Sequence, residues 1–141
     1  MKSLTEYLAE NKVAGNPSDK ANGFAILKPE FLDYESDFES LLTTDGWKIV
    51  KKKKQKLSQD QAHELYAIHH DKSFYNTLCQ YMTSSECACY SCYKKCDDPI
   101  KDMKDLKDKV RKQWGKDEMK NAMHSSDSLE NVKKESRLLL K

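Results

Sequence analysis

Short apolar segments of strand character are spread along the chain between polar stretches. The run GFAILK, closed by Pro29, is compact and apolar, which predicts a buried strand whose last residue, Lys28, emerges at the strand's end. A second strand is predicted from about Trp47, because Gly46 interrupts the chain just before it. The segment ECACYSCY predicts a further strand.

Other segments place apolar residues at helical spacing. Ser58 is a plausible N-cap, Asp98 with Pro99 can cap and open a helix, and Asp127 with Glu130 resembles a capping box. Strands and helices alternate irregularly, which indicates a mixed α+β domain. The predicted helices lie at about residues 34–42, 58–70, 71–82, 98–114 and 129–140.

The N-terminal segment differs in character from the rest. Its polar residues end in AGNPSDKANG, so residues 1–22 are predicted to form a partly flexible extension with one short helix. Residues 23–141 are predicted to form one folded domain, since a chain of this length can bury a core without metals or disulfides.

Composition narrows the class of protein. With 38% hydrophobic residues and no apolar run near the roughly 20 residues that cross a bilayer, no membrane span is predicted. The N-terminus lacks the apolar stretch of a secretory signal, so a cytoplasmic protein is expected. Twenty-five basic and 23 acidic residues are too balanced to indicate specific nucleic-acid binding. The lysine-rich run KIVKKKKQK favours a solvated surface or edge.

Four of the five cysteines are close together in sequence. Without a secretory signal they are expected to be reduced thiols. Four thiolates could complete a tetrahedral zinc site, which would make the chain a zinc-binding interaction module. The period-2 spacing of Cys87 and Cys89 on a predicted strand favours packing instead. The cluster consists of Cys87, Cys89, Cys92 and Cys96.

The C-terminal stretch NAMHSSDSLENVKKESRLLL is similar to the signature of nucleoside diphosphate kinases. Three further segments follow that family's order: FAILKP, ELYAIHHDKSFYNTLCQYMTSS and VRKQWGKDEMKNAMH. The resemblance covers about residues 24–140. The signature positions are Asn121, His124, Ser126, Asp127, Ser128 and Glu135.

This resemblance implies a ferredoxin-like α+β fold, a four-stranded antiparallel sheet covered by helices on one face. It also implies a ping-pong transfer of the terminal phosphate of a nucleoside triphosphate to a nucleoside diphosphate. Imidazole suits such a carrier, because it is largely unprotonated near neutral pH and is also a good leaving group. His124 is therefore the expected nucleophile, and the expected partners are nucleoside tri- and diphosphates.

The same resemblance implies roles for seven more residues. Glu135 would orient the imidazole with Ser126 nearby, and Tyr66 would lie close to it. Lys28 and Arg111 would contact phosphate. Phe74 would stack on the base and Asn121 would contact the sugar. Mg²⁺ is expected to arrive with the phosphates rather than in a protein cage, so no residue is predicted to bind metal by itself.

The chain departs from the family pattern in places. Between Tyr93 and Arg111 it is several residues shorter than the family's usual span, which holds a helix, an arginine and a threonine that contact phosphate. Neither the arginine nor the threonine has a counterpart here. The turn KPEFLDYESD lacks the usual glycines, and HSSDS replaces HGSDS. Charge could come instead from Lys94, Lys95, Lys101 and Lys104, although lysine lacks arginine's bidentate fork.

Two expectations follow from these departures. One alternative to an active kinase is a nucleotide-binding family member with reduced or no turnover that acts as an interaction protein. Subunits of the family pair through the second strand and first helix into oligomers. Here that strand is rich in lysine, so a homo-oligomer is expected to assemble more weakly or differently.

Overall fold

A four-stranded antiparallel sheet forms the centre of the structure, in the order β2-β3-β1-β4. Strand β1 pairs with β3 on one side and with β4 on the other, and all five of its residues are buried. Its apolar run thus reflects packing on both faces of the sheet. The strands are β1 (Gly23–Leu27), β2 (Lys48–Gln55), β3 (Cys87–Tyr93) and β4 (Met123–Ser125).

The computed structural model describes residues 21–141, so the predicted helix and lead-in at residues 1–20 lie outside it. The domain already includes the two residues before β1. Ala21 is buried, and the Asn22 side chain both donates to the Lys94 carbonyl and accepts from the Lys94 amide, at 2.8 and 3.0 Å. No helix within residues 21–141 has the length and apolar character needed to cross a membrane.

Five helices of the described residues cover the sheet, which confirms the α+β, ferredoxin-like prediction. They lie on both faces rather than one: α1 and α4 pack against one apolar cluster, and α2, α3 and α5 against the other. The reason is that successive side chains of β1 point to opposite faces of the sheet. Ala25 and Leu27 join the cluster on one face, and Phe24 and Ile26 join the cluster on the other. The helices are α1 (Glu35–Thr44), α2 (Gln59–Leu65), α3 (Tyr75–Met82), α4 (Pro99–Trp114) and α5 (Leu129–Leu139).

Two of the three predicted helix caps are confirmed. Ser58 forms a capping box with Gln61, and the Asp98 carboxylate accepts from the amide of Lys101. The predicted cap of α5 at Asp127 is wrong, because Ser128 is the N-cap and its hydroxyl accepts from the amide of Asn131. Asp127 instead accepts from the side-chain amide of Asn131 at 2.7 Å.

Helices α2 and α3 are shorter than their sequence patterns predicted. Helix α2 ends at Leu65 and a single 3-10 turn follows at Ala67–His69, which leaves Ile68 exposed. Helix α3 begins at Tyr75 rather than Asp71. The backbone before it closes successive tight turns through bonds between residues three apart. Phe74 therefore lies at the open N-terminal end of α3, half exposed.

The cysteines of β3 serve packing. Cys87 and Cys89 belong to one apolar cluster, whereas Cys92 belongs to the cluster on the opposite face of the sheet. Thiolates on opposite faces of one strand cannot meet in one tetrahedral zinc site. Within residues 21–141 no group of histidine, cysteine and carboxylate side chains is arranged to hold a metal ion.

Candidate active site

His124 lies on β4, directly opposite Ile26 of the central strand. Its imidazole Nε2 is 2.8 Å from Oε1 of Glu135, which the first two turns of α5 bring back toward the strand. The Ser126 hydroxyl donates to the same oxygen at 2.6 Å. Glu135 thus accepts two hydrogen bonds on one oxygen, and the neutral imidazole is held with its proton on Nε2 and its lone pair on Nδ1.

Two aromatic rings fix the plane of the imidazole. Tyr66 meets it edge-on with ring centroids 5.7 Å apart, and Phe24 does so at 6.3 Å. The Tyr66 hydroxyl is buried and has no hydrogen-bond partner among the described residues. Burial, with the Glu135 charge second, raises the pKa of Tyr66, so its hydroxyl stays a neutral donor. A ligand oxygen is the kind of partner such a buried hydroxyl requires.

Lys28 follows β1 and ties a loop to the site. Its ammonium donates to Oδ1 of Asn121 at 2.8 Å and to the Met119 carbonyl at 3.2 Å. The Asn121 amide in turn donates to the Glu118 carbonyl at 2.7 Å. The next residue, Ala122, has φ of +78°, an uncommon conformation for a residue with a side chain. The chain thereby turns sharply from the loop into β4.

Cations gather on one side of His124. The Arg111 Nε–H donates to the Met123 carbonyl at 3.1 Å, which fixes the guanidinium beside β4. Burial, followed by the positive charges of Arg111 and Lys107, lowers the pKa of Lys28 to about 7. Burial also lowers the pKa of Arg111. An anion at this place would relieve both the burial cost and the mutual repulsion.

These groups line a cavity of about 720 Å³. A row of rings leads from its mouth to the nucleophile candidate. Phe74 lies 5.5 Å from His69, His69 lies 6.4 Å from Tyr66, and Tyr66 reaches His124. The cavity therefore has an aromatic mouth and a cationic interior, which suits a ligand with a planar ring and a polyanionic chain.

A family model for nucleoside diphosphate kinase matches residues 21–141. The chain belongs to the nucleoside diphosphate kinase family. Membership in this family of transferases supports phosphate transfer between nucleotides as the class of function. The nucleoside diphosphate kinase of Persephonella marina is 31% identical over 122 residues, covering 78% of this chain and 86% of the relative. The nucleoside diphosphate kinase of Histophilus somni strain 2336 is 29% identical over 123 residues, which cover 79% of this chain and 86% of the relative.

A longer relative and two solved structures extend the comparison. Nucleoside diphosphate kinase homolog 7 of Rattus norvegicus is 28% identical over 134 residues, which is 86% of this chain but only 33% of the rat protein. The Aquifex aeolicus nucleoside diphosphate kinase matches with a TM-score of 0.76 at 22% identity, covering 84% and 94% of the two chains. The Halobacterium salinarum kinase in complex with CDP matches with a TM-score of 0.73 at 25% identity. The match covers 83% of this chain and 85% of the Halobacterium chain.

The kinase fold brings the residues singled out from the sequence into one place. Of the eight, only Ser126 does not line the cavity, and it lies behind Glu135, to which it donates. The seven on the cavity wall are Lys28, Tyr66, Phe74, Arg111, Asn121, His124 and Glu135.

The four lysines proposed from the sequence as substitute charges are absent from the cavity wall. Lys94 pairs with Asp102 at 3.0 Å, and Lys101 and Lys104 pair with aspartates one turn along α4. Lys95 is exposed. That prediction is wrong, because none of the four side chains lines the cavity and three of them are held in ion pairs. The wall instead contains Lys107 and Lys134, which sequence reasoning missed.

Proposed function

We propose that the protein is an active nucleoside diphosphate kinase that carries the phosphoryl group on Nδ1 of His124. The observation that carries this proposal is the bond between Nε2 of His124 and Glu135 inside a cavity lined by four lysine and arginine side chains. A histidine held this way presents one free lone pair toward bound phosphate, which is what a phosphoryl carrier requires.

In the first half of the reaction, Nδ1 attacks the terminal phosphorus of a nucleoside triphosphate. The N–P bond forms as the P–O bond to the bridging oxygen breaks, and the diphosphate leaves with that electron pair. In the second half, a terminal oxygen of another diphosphate attacks the phosphorus and the N–P bond breaks. The first half leaves the imidazole phosphorylated and the second half regenerates the free imidazole, so the exchange is ping-pong.

The surrounding groups supply positioning and charge stabilisation, which are the main contributions to phosphoryl transfer. Glu135 stabilises the positive charge that develops on the imidazole as Nδ1 forms its new bond. Lys28 and Arg111 neutralise phosphate oxygens. The Tyr66 hydroxyl donates to the chain of phosphates beside the nucleophile, which gives this buried group its missing partner.

Phe74 is proposed to stack on the base at the cavity mouth, and Asn121 to contact the sugar. Stacking on one ring discriminates little between bases, so broad nucleoside specificity is expected. The Halobacterium salinarum relative solved with CDP supports a nucleotide as the ligand class.

Mg²⁺ is proposed to enter with the phosphates and to neutralise their oxygens. The residues present fit that role, since Asp127 on the cavity wall offers hard carboxylate oxygens next to the phosphate site. The side chains of the chain itself bind and orient the substrate and hold the histidine tautomer.

A second candidate function is nucleotide binding with little turnover. It is favoured by the short connection between β3 and α4, where only residues 94–98 separate the two elements. A coupled assay of phosphate transfer from ATP to a second nucleoside diphosphate decides between the two. The kinase proposal expects turnover that depends on both nucleotides. Binding of ATP without formation of the second triphosphate would support the alternative.

A further inference from the structure

Helix α4 carries lysines at intervals of three residues, and they have different partners. Lys101 and Lys104 each form an ion pair with an aspartate four residues later, at 2.8 and 2.9 Å. These pairs are exposed. The next lysine, Lys107, has Arg111 four residues later, so the same spacing brings two cations together on the cavity side. Like charges at this spacing destabilise a helix, which makes the pair costly without an anion.

Lys107 is half-buried on the cavity wall. No carboxylate of the described residues lies within ion-pair distance of its ammonium. The negative charges that act on it belong to Asp108, which pairs with Lys104, and Asp127, which accepts from Asn131. Burial and then the Arg111 charge lower the pKa of Lys107, and Lys107 in turn helps to lower that of Lys28.

The three cations thus converge on one volume beside His124. Asp108, Asp117 and Asp127 offset part of their repulsion, yet the pKa of each cation stays lowered. A polyanion with several oxygens is the ligand that would relieve the rest. A rise of about 6 Å along the helix axis separates the backbone positions of Lys107 and Arg111. The two side chains can therefore reach different oxygens of an extended phosphate chain rather than compete for one.

We propose that Lys107 is a binding residue for the phosphate chain of the nucleotide, acting beside Arg111. The proposal rests on the function proposed above and adds a residue to it. In this chain the second phosphate-binding cation of α4 is Lys107, whereas the exposed lysines of the same helix take no part. The ligand class is a nucleoside di- or triphosphate, with the larger effect expected for the triphosphate.

The test compares three variants by calorimetry: Lys107→Gln, Lys107→Arg and, as a matched control on the same helix, Lys104→Gln. The ligands are an ATP analogue with an imido bridge between the last two phosphates, which cannot be transferred, and adenosine, which has no phosphate. Loss of one charged hydrogen bond predicts that Lys107→Gln binds the analogue about tenfold to hundredfold more weakly. Lys107→Arg should keep most of the affinity, and Lys104→Gln should match the unaltered protein.

Adenosine separates a phosphate contact from structural damage. Its affinity should be the same for Lys107→Gln and the unaltered protein. The proposal is overturned if Lys107→Gln binds the analogue as well as Lys104→Gln does, if adenosine binding falls in parallel, or if the unaltered protein does not bind the analogue. The coupled transfer assay reports separately on the kinase function, because a protein without turnover can still show the Lys107-dependent binding.

Discussion

The imidazole of His124 is held by one carboxylate oxygen and two aromatic edges before any ligand binds. Glu135 is buried, and its oxygen is already shared by Nε2 of the imidazole and the Ser126 hydroxyl. Such preorganisation removes the cost of orienting the nucleophile at the moment of reaction. In the proposed reaction the role of Glu135 is therefore electrostatic as well as geometric.

Replacing Glu135 with Gln should slow phosphorylation of His124 without unfolding the domain. The amide keeps the shape of the side chain but loses the charge that stabilises the developing imidazolium. By analogy with carboxylates that orient metal-bound histidines, we expect a loss of about tenfold to hundredfold in rate. Single-turnover phosphorylation with ATP measures this rate, and the melting temperature controls for folding. An unchanged rate would mean that the carboxylate is a structural group only.

Lys28 should make nucleotide binding depend on pH. Its pKa in the free protein is about 7, so at pH 8 the amine is mostly neutral. A bound polyanion raises that pKa, so binding at pH 8 takes up a proton and affinity falls as pH rises above 7. Calorimetry in buffers of different ionisation enthalpy measures the uptake. Lys28→Gln should lose most of it, whereas equal uptake in that variant would assign the proton to another group.

Functional residues could be predicted from the sequence where a signature fixes their spacing. The prediction failed where only the fold brings a residue to the site. Asn121, His124 and Glu135 stand at set spacings in the C-terminal segment. The role proposed for Lys107 depends instead on which face of α4 meets the cavity. The signal available in the sequence was that the i, i+4 partner of Lys107 is Arg111 rather than an aspartate.

At the scale of elements, α5 depends on its first turn because that helix carries Glu135. Ser128 caps α5, whereas the sequence pattern had favoured Asp127 with Glu130. We expect Ser128→Ala to lower the free energy of unfolding by about 1 kcal/mol. Glu130→Ala should change it by only a few tenths. Urea denaturation of the two variants measures the difference, and the reverse order would restore the capping box predicted from sequence.

Helix boundaries explain most of the remaining differences from the sequence prediction. The apolar spacing continues through Tyr66 and Ile68, yet α2 ends at Leu65 because the backbone leaves the helical conformation at Tyr66. This break directs Tyr66 toward His124 while Ile68 stays exposed. The apolar periodicity alone does not show where α2 ends, since a tertiary contact decides the backbone conformation at Tyr66.

For the whole molecule, the exposed edge of β2 bears on assembly. Within the described sheet β2 is an end strand. Lys52 and Lys54 on this strand form ion pairs with Glu35 of α1. The lysines of this strand oppose pairing with a second copy through repulsion and desolvation. We expect a monomer or weak oligomer whose association strengthens as salt screens the charge. Analytical ultracentrifugation at low and high salt tests this, and a hexamer insensitive to salt would contradict it.

The central claim is that His124 carries the phosphoryl group, and direct labelling tests it most simply. The protein is incubated with ATP radiolabelled at the terminal phosphate and with Mg²⁺, and the label is followed before and after mild acid and after addition of a nucleoside diphosphate. We expect one acid-labile phosphate per chain, its transfer to the added diphosphate, and no label on His124→Ala. Equal labelling of His124→Ala would show that another residue carries the phosphate and would contradict the role proposed for His124.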